Sequence, residues 1–523
     1  MSLKDRFKEE LEKFKDSSLK VAKKAGDSIL EEYEKGLGLD SRKKKREEEL
    51  GEKFDVPKVN KKGATLYGKA KTGVIRRNLY FPYGDWRHKL IVGGTGSGKN
   101  TWAENFVVNC PHGVAFLDNA KGSSVDNILR ASSNEQLKKT IVLDHSIREQ
   151  PLAVATVESI DNIFENDMLV SQWEDFFISN FDIGDKFRTR KVIRNALKAV
   201  FGVDNMTVLD AVEFVRNQDF RTYILNKLLG EDYRDVKRYW NEFDEMSDSK
   251  QLNYIEPFLN RTGNIKGDTI LKTTLGQIPK EKLDYEKWVN ENYKVLIKIP
   301  EKQLPAEAVR IISSLHMLNF WRACLSRGDV FDQPSKQFTV ICDEPQGWLG
   351  KNTKVLDNIF SKARAYRMNV MCLIQSTEQI KDESSKLLNV ILHNQPDIIA
   401  LSYADIDGFR NFDWQNLSDY SFLARVNSHK FVGKSLKPVT SNAERPKKEA
   451  LAFCSHMRDK YNRHYLDVLN RIERRHRRWE EGASVIESQS QSESLDSGTK
   501  TTSSIDSQTK TSESSDSSII TNW

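Results

Sequence analysis

No stretch of this 523-residue chain reaches the ~18 consecutive apolar residues that a membrane-spanning helix needs, and its lysine-rich start lacks the apolar block of a secretory signal. The expectation is therefore a soluble, cytoplasmic protein with no membrane-spanning segment. Cysteine is scarce. Cys110, Cys324, Cys342, Cys372 and Cys454 are odd in number, and no two stand at C-x₂₋₄-C spacing, so neither a disulfide framework nor a zinc knuckle is readable. Reduced, mostly buried thiols are expected. The nine histidines form no H-E-x-x-H or other ligand cluster, and no G-x-S-x-G elbow occurs. With no helix-turn-helix or zinc-finger signature either, any nucleic-acid contact is expected to be mainly to phosphates and largely indifferent to base sequence.

What is present fills a core. The chain is 38% hydrophobic and 30% charged, which excludes wholesale disorder and fibrous classes, and at ~100–200 residues per domain its length predicts two to four domains. Its net charge of +6 is unevenly spread: residues 486–523 hold two lysines against six acids, a balance of −4, leaving +10 on the rest. That permits a polyanionic partner without requiring one.

Residues 1–62 are read as an amphipathic helix over 1–35, with Leu3, Phe7, Leu11, Phe14, Val21, Ala25 and Ile29 at three- and four-residue steps, followed by a charged linker. Apolar, strand-like runs begin near Leu90: KLIVG (89–93), GVAFLD (113–118), TIVLD (140–144), KVLIKI (294–299), FTVICD (338–343), NVMCLIQ (369–375) and DIIALSY (397–403). Nearly all-apolar strands separated by helices predict an α/β fold with a mainly parallel sheet covered on both faces. The rhythm assigns 63–155 and 290–440 to the two parts of one core, interrupted at 156–289 by an all-α insertion. Residues 441–484 are read as a basic C-terminal helix ending in RIERRHRRWEE (471–481), whose arginines suit either phosphates or a solvated face. Residues 485–523 form a Ser/Thr-rich acidic tail with a ten-residue repeat, too poor in apolar surface to order.

The sharpest chemical signal is LIVGGTGSGKNTW (90–102), a strand, a glycine-rich loop and a helix beginning at Lys99. Gly93, Gly94, Thr95, Gly96, Ser97 and Gly98 let backbone amides turn around a triphosphate, Lys99 brings positive charge to its phosphates, and the helix N-terminus adds its dipole. This pattern usually ends in a hydroxyl that ligates Mg²⁺. Here Asn100 stands in that place, a possible metal ligand through its amide oxygen, while Thr101 lies about 100° further round the helix. Nucleotide binding is thus better supported than hydrolysis.

The second signal is FTVICDEPQ (338–346), a strand ending in adjacent acids: Asp343 is suited to the magnesium shell and Glu344 to polarising water as a general base. Gln375 ends the next strand and is equally readable as a γ-phosphate sensor or as a polar strand end. Arg364 is readable as an arginine finger for a neighbouring subunit or, more simply, as a surface residue. Asp118 closes FLDNAKGS (116–123) and reads as a turn-forming acid rather than a catalytic one.

Together, GGTGSGKN (93–100), FLDNAKGS (116–123), VICDEPQGWL (340–349) and ARAYRMNVMCLIQS (363–376) resemble the HerA/FtsK group of ring-forming P-loop ATPases, and within it the conjugative coupling proteins of type IV secretion systems. The likeness covers roughly 85–440. It implies a RecA-like P-loop NTPase core assembling as a hexamer, with ATP and Mg²⁺ as ligands and DNA driven through a central pore. Under it Lys99 binds phosphate, Asp343 magnesium and Glu344 water, Gln375 senses the γ-phosphate and Arg364 acts in trans. The membrane helices usual in coupling proteins are missing. The 1–35 helix is then expected to make a peripheral tie to a membrane-channel partner, or the protein to act in the cytosol, with the acidic tail as a docking segment for a DNA-processing partner. Nucleotide-gated scaffolding, protein secretion and virion genome packaging remain alternatives.

Overall fold

A computed structural model describes residues 59, 61–72, 75–82, 84, 87–120, 122–154, 163–181, 187–327, 337–345, 354–401, 420–427, 429–443 and 445–477. The expected N-terminal helix and C-terminal tail lie outside these residues.

Eleven strands make one sheet: β1 (Thr65–Thr72), β2 (Ile75–Phe81), β3 (Lys89–Val92), β4 (Gly113–Asp118), β5 (Thr140–Asp144), β6 (Lys294–Lys298), β7 (Phe338–Asp343), β8 (Met368–Ile374), β9 (Asp397–Leu401), β10 (Ser421–Val426) and β11 (His429–Ser435). Their spatial order is β2-β1-β11-β10-β9-β3-β8-β7-β4-β6-β5. From β9 to β5 every pairing is parallel, and from β2 to β9 every pairing is antiparallel. The architecture is an α/β core on a mainly parallel sheet, as expected.

The parallel strands are legible because both their faces are buried. Leu90 and Val92 belong to one apolar cluster and Ile91 to the other, and Ala115 and Leu117 face oppositely to Val114 and Phe116. The apolar runs do begin near Leu90, but the sheet does not: β1 and β2 precede it, and β10 and β11 close the same edge. These four alternate core residues such as Tyr67, Leu79, Phe422 and Phe431 with lysine and arginine, so no continuous apolar run marks them.

Helices α1 (Lys99–Asn109), α2 (Ser123–Ala131) and α3 (Asn134–Lys138) follow β3 and β4. Trp102 and Phe106 of α1 and Val125 and Ile128 of α2 cover one face of the sheet. Between β5 and β6 no strand intervenes among the described residues. Instead come α4 (Ile163–Phe181), α5 (Phe187–Phe201), α6 (Val208–Arg216), α7 (Gln218–Lys227), α8 (Arg234–Asp244), α9 (Asp248–Gly267), α10 (Thr269–Gly276) and α11 (Tyr285–Asn290). Helix α12 (Ala306–Leu325) follows β6, α13 (Lys354–Lys362) precedes β8, and α14 (Thr377–His393) follows it. The stretch expected as one basic C-terminal helix is two, α15 (Lys447–Tyr461) and α16 (Tyr465–His476), broken by an extended Asn462. Helix α16 returns to the insertion, where Ile472 packs near Gly276 and Arg475 meets Asp210.

Candidate nucleotide site

The strand order puts the carboxyl ends of β3, β8, β7 and β4 side by side. Ligands of open α/β sheets sit beyond this edge, and the glycine loop, Gln375, the two acids and Asp118 all emerge there. The loop conformation depends on its glycines. Gly96 has φ 80° and Gly98 φ 94°, left-handed values that an L side chain resists. Gly98 also caps α1, and no side chain satisfies the helix's first amides, leaving them as donors for an anion. Ser97 Oγ is buried without a hydrogen-bond partner among the described residues. Gly94 is half-buried and Thr95 exposed, so the loop crest faces outward, and Thr101 lies half-buried one residue beyond Asn100 on α1.

Lys99 folds back over this loop. Its buried ammonium donates to Gly93 O at 2.7 Å and Gly94 O at 3.4 Å and lies 3.6 Å from Glu344 Oε1. Glu344 is held in the left-handed region at φ 48° while its N–H donates to Leu373 O, a strained placement of the sort that concentrates at functional sites. Gln375, on the strand between the loop and the acids, donates from Nε2 to Glu344 Oε1 at 3.2 Å. Lys99, Glu344 and Gln375 therefore form one contact group.

Asp343 is fully buried. Burial, then the charges of Asp118 and Glu344, push its carboxyl up to about 8, against the opposing effects of Lys99 and Asn100. Its Oδ2 accepts from Asn100 Nδ2 at 3.3 Å, and its Oδ1 is buried with no partner among the described residues. An orphaned carboxylate oxygen amid three acids is an all-oxygen donor set in want of a cation, which fits Mg²⁺. Asn100 turns its NH₂ toward Asp343 and also to Ser124 Oγ at 3.4 Å, so its Oδ1 is the atom left for a metal.

Sequence reasoning undervalued Asp118. It does form a turn, accepting from Gly122 N and Ser124 N at 3.1 Å each, but it also adds a third negative charge to the site. Glu301 was missed outright. Exposed in the turn after β6, it donates its N–H to Asn119 O at 3.0 Å, which places it on the same edge, and its carboxyl is raised by partial desolvation and then by the charge of Glu344. No motif marks it, because its position depends on β6 lying next to β4.

Arg364 is not in this group. It is exposed in the turn Ala363–Tyr366 that precedes β8, at the opposite edge of the sheet. The seven residues of β8 separate it from Gln375, about 23 Å at strand rise. It cannot reach the glycine loop of its own chain.

No protein-family model matches this sequence, and no curated protein matches it. Among solved structures, the bacterial conjugative coupling protein TrwB in an unbound form is similar over 71% of this chain and 89% of its own, at 13% identity and a TM-score of 0.49. TrwB in complex with ADP and Mg²⁺ is similar over 71% and 82%, at 14% identity and a TM-score of 0.45. VirB4 of Thermoanaerobacter pseudethanolicus is similar over 73% and 98%, at 13% identity and a TM-score of 0.47.

Proposed function

We propose that this protein is an ATP-driven DNA translocase that works as a ring, in conjugative transfer or a related mobile-element process. One observation carries the reading: the glycine loop and Lys99 face Glu344 and Gln375 across the edge of the sheet, with the buried Asp343 alongside. The loop amides and the α1 N-terminus bind the phosphates of ATP, and Lys99 exchanges its loop carbonyls for phosphate oxygens. Asp343, with Asn100 Oδ1, would hold Mg²⁺, which supplies charge neutralisation at the phosphates when bound. Glu344 takes the proton of the attacking water, and Gln375, already bonded to Glu344, orients that water or senses the terminal phosphate. Arg364, too far from its own loop, is assigned to the nucleotide of a neighbouring subunit, which makes ring assembly part of the chemistry. Peripheral association with a membrane-channel partner through the 1–35 helix, and docking of a DNA-processing partner by the acidic tail, belong to the same proposal.

The test is ATP turnover with and without single- and double-stranded DNA. We expect DNA to stimulate the wild type, Glu344→Gln to lose about 10²–10⁴-fold in turnover while still binding ATP, and Lys99→Ala to lose binding. A wild type as inactive as Glu344→Gln under every condition would reject the motor.

A second reading, a nucleotide-gated assembly protein with little hydrolysis, is favoured by one contact: the Asn100 amide donates to the acid that would hold the metal. Asn100→Ser separates the two. A gain of about tenfold or more, ~1.4 kcal/mol off the barrier, supports the assembly reading, whereas the motor reading expects little change.

A further inference from the structure

The arginine run after residue 470 has no part in the nucleotide site. Its place in the fold divides it into two kinds of residue. Arg475 is buried and structural: its Nε donates to both Asp210 oxygens, at 3.0 and 2.9 Å, and its Nη2 to Gly276 O at 2.6 Å. Above it, between α16 and the all-α insertion, opens a cleft of about 470 Å³ lined by Asn205, Gln277, Arg463, Arg471, Arg474 and Arg475. Arg471 stands three residues before Arg474 and four before Arg475 on α16, so it neighbours both, while Arg474 itself points to the open side.

The charge in this cleft is not balanced. Asp210 answers Arg475, and Asp467 answers Arg471 at 2.9 Å and Arg463 only at 4.0 Å. Arg474 is exposed and has no acidic partner among the described residues. Unpaired polarity also lies in the wall: Arg463 Nε is a buried N–H donor without an acceptor, and Gln277, 3% exposed, uses Nε2 on Pro151 O while its Oε1 has no partner. A second cleft shares Arg463, but Asp459 and Asp467 stand in its lining beside Lys280, Arg458 and His464, so the excess of positive charge is confined to the first.

From this arrangement we propose that the cleft between α16 and the all-α insertion is a phosphate-binding site for the backbone of a nucleic-acid strand. Guanidinium groups match the fork geometry of phosphate oxygens, and a buried unpaired N–H makes a tetrahedral oxyanion a better occupant than water. Among the described residues Ile278 is the one large apolar side chain in the lining, which offers a docking protein no apolar anchor pocket there. The choice of nucleic acid among phosphate polyanions rests on the motor reading above. The site itself lies on different elements from the ATP loop, and it holds DNA against the insertion rather than at the nucleotide.

The test uses the full chain and a fluorescein-labelled DNA of about 30 nucleotides, single-stranded and duplex, with anisotropy read over a range of salt. Arg463→Ala/Arg474→Ala is expected to weaken DNA binding about fivefold or more near 0.1 M salt and to lower the slope of log affinity against log salt by about 1.5–2, two phosphate contacts' worth. Binding of a fluorescent ATP analogue stays unchanged, and Arg463→Lys/Arg474→Lys recovers part of the DNA affinity. Arg474→Glu, at an exposed helix position, gives the same direction of change and guards against misfolding of the double variant. If the wild type binds DNA and both variants bind it equally well with the same slope, the site is wrong and the motor reading stands. If the wild type binds neither strand form, the motor reading fails and the choice of ligand fails with it. Inorganic pyrophosphate is the second probe: a cleft that takes pyrophosphate through these arginines but no DNA overturns the nucleic-acid assignment.

Discussion

Replacing Arg475 with leucine strips Asp210 of the cation that allows it to be ionised inside the protein. Asp210 is fully buried at the start of α6, where its carboxylate also accepts from Thr207 N and Oγ1 and lies 2.6 Å from His476 Nε2. Burial alone would raise its pKa, but Arg475 and His476 overcome that and hold it below the ordinary value. Removing one member of such a pair typically costs about 3–5 kcal/mol, because the survivor stays buried without its counter-charge. Asp210 keeps His476 and the Thr207 donors, so the loss here belongs at the lower end, about 3 kcal/mol. The sign with pH follows. A depressed carboxylate stabilises the fold above its unfolded value of about 3.9, and the benefit fades as pH falls through the folded value. In Arg475→Leu burial is opposed far less, so the deficit is full at neutral pH and shrinks toward about pH 4, where protonated Asp210 no longer needs a cation. Urea unfolding, read by far-ultraviolet circular dichroism and tryptophan fluorescence, measures it. Asp210→Asn/Arg475→Leu should recover part of the loss and give a coupling energy of about 1–3 kcal/mol. A variant within about 1 kcal/mol of wild type at neutral pH, or a deficit that grows on acidification, would refute the reasoning.

Gly98→Ala forces a left-handed backbone, φ 94°, on an L residue at a cost of roughly 1–2 kcal/mol; ATP affinity by titration calorimetry should fall about tenfold while the thermal unfolding of the sheet stays close to wild type. Asp118→Asn presents an NH₂ group to one of the two N–H donors at 3.1 Å, a local loss of about 1–3 kcal/mol that amide exchange at Gly122 and Ser124 should register. Asp397→Asn abandons Lys89, whose partner at 3.2 Å is as buried as itself, and urea unfolding should show a loss of about 3–5 kcal/mol. No change in Asp397→Asn would mean that Lys89 finds sufficient compensation in Arg87 O and the Phe81 ring.

Parts of the molecule were legible in the sequence because burial on both faces leaves an unmistakable pattern. The strands from Lys89 to Leu401 are nearly all apolar, and the loop before Lys99 follows the first of them directly. Strands with one wet face were not legible: in IRRNLYF and HKFVGKS exposed charged residues such as Arg77 and Lys434 mask the strand. Strand order was hidden as well. That β8 lies between β3 and β7, which lets Gln375 reach Glu344, and that β4 brings Asp118 to Asp343, are consequences of the order in which the strands pair. Sequence spacing gave Arg364 no position relative to the loop, and the strand direction puts it on the far edge. The arginines at 471–477 looked alike in the sequence. Only a contact across 265 positions separates Arg475, tied to Asp210, from Arg474 on the open face.

The claim on which the rest depends is that residues 93–99 and the acids at 343 and 344 build one triphosphate site. A crystal structure of the protein grown with a non-hydrolysable ATP analogue and Mg²⁺ tests it most directly. The account predicts phosphates within the Gly93–Lys99 loop, the terminal one beside Glu344 and Gln375, with the metal on Asp343. Nucleotide bound elsewhere while that loop stays empty, or a terminal phosphate directed away from Glu344, would contradict it.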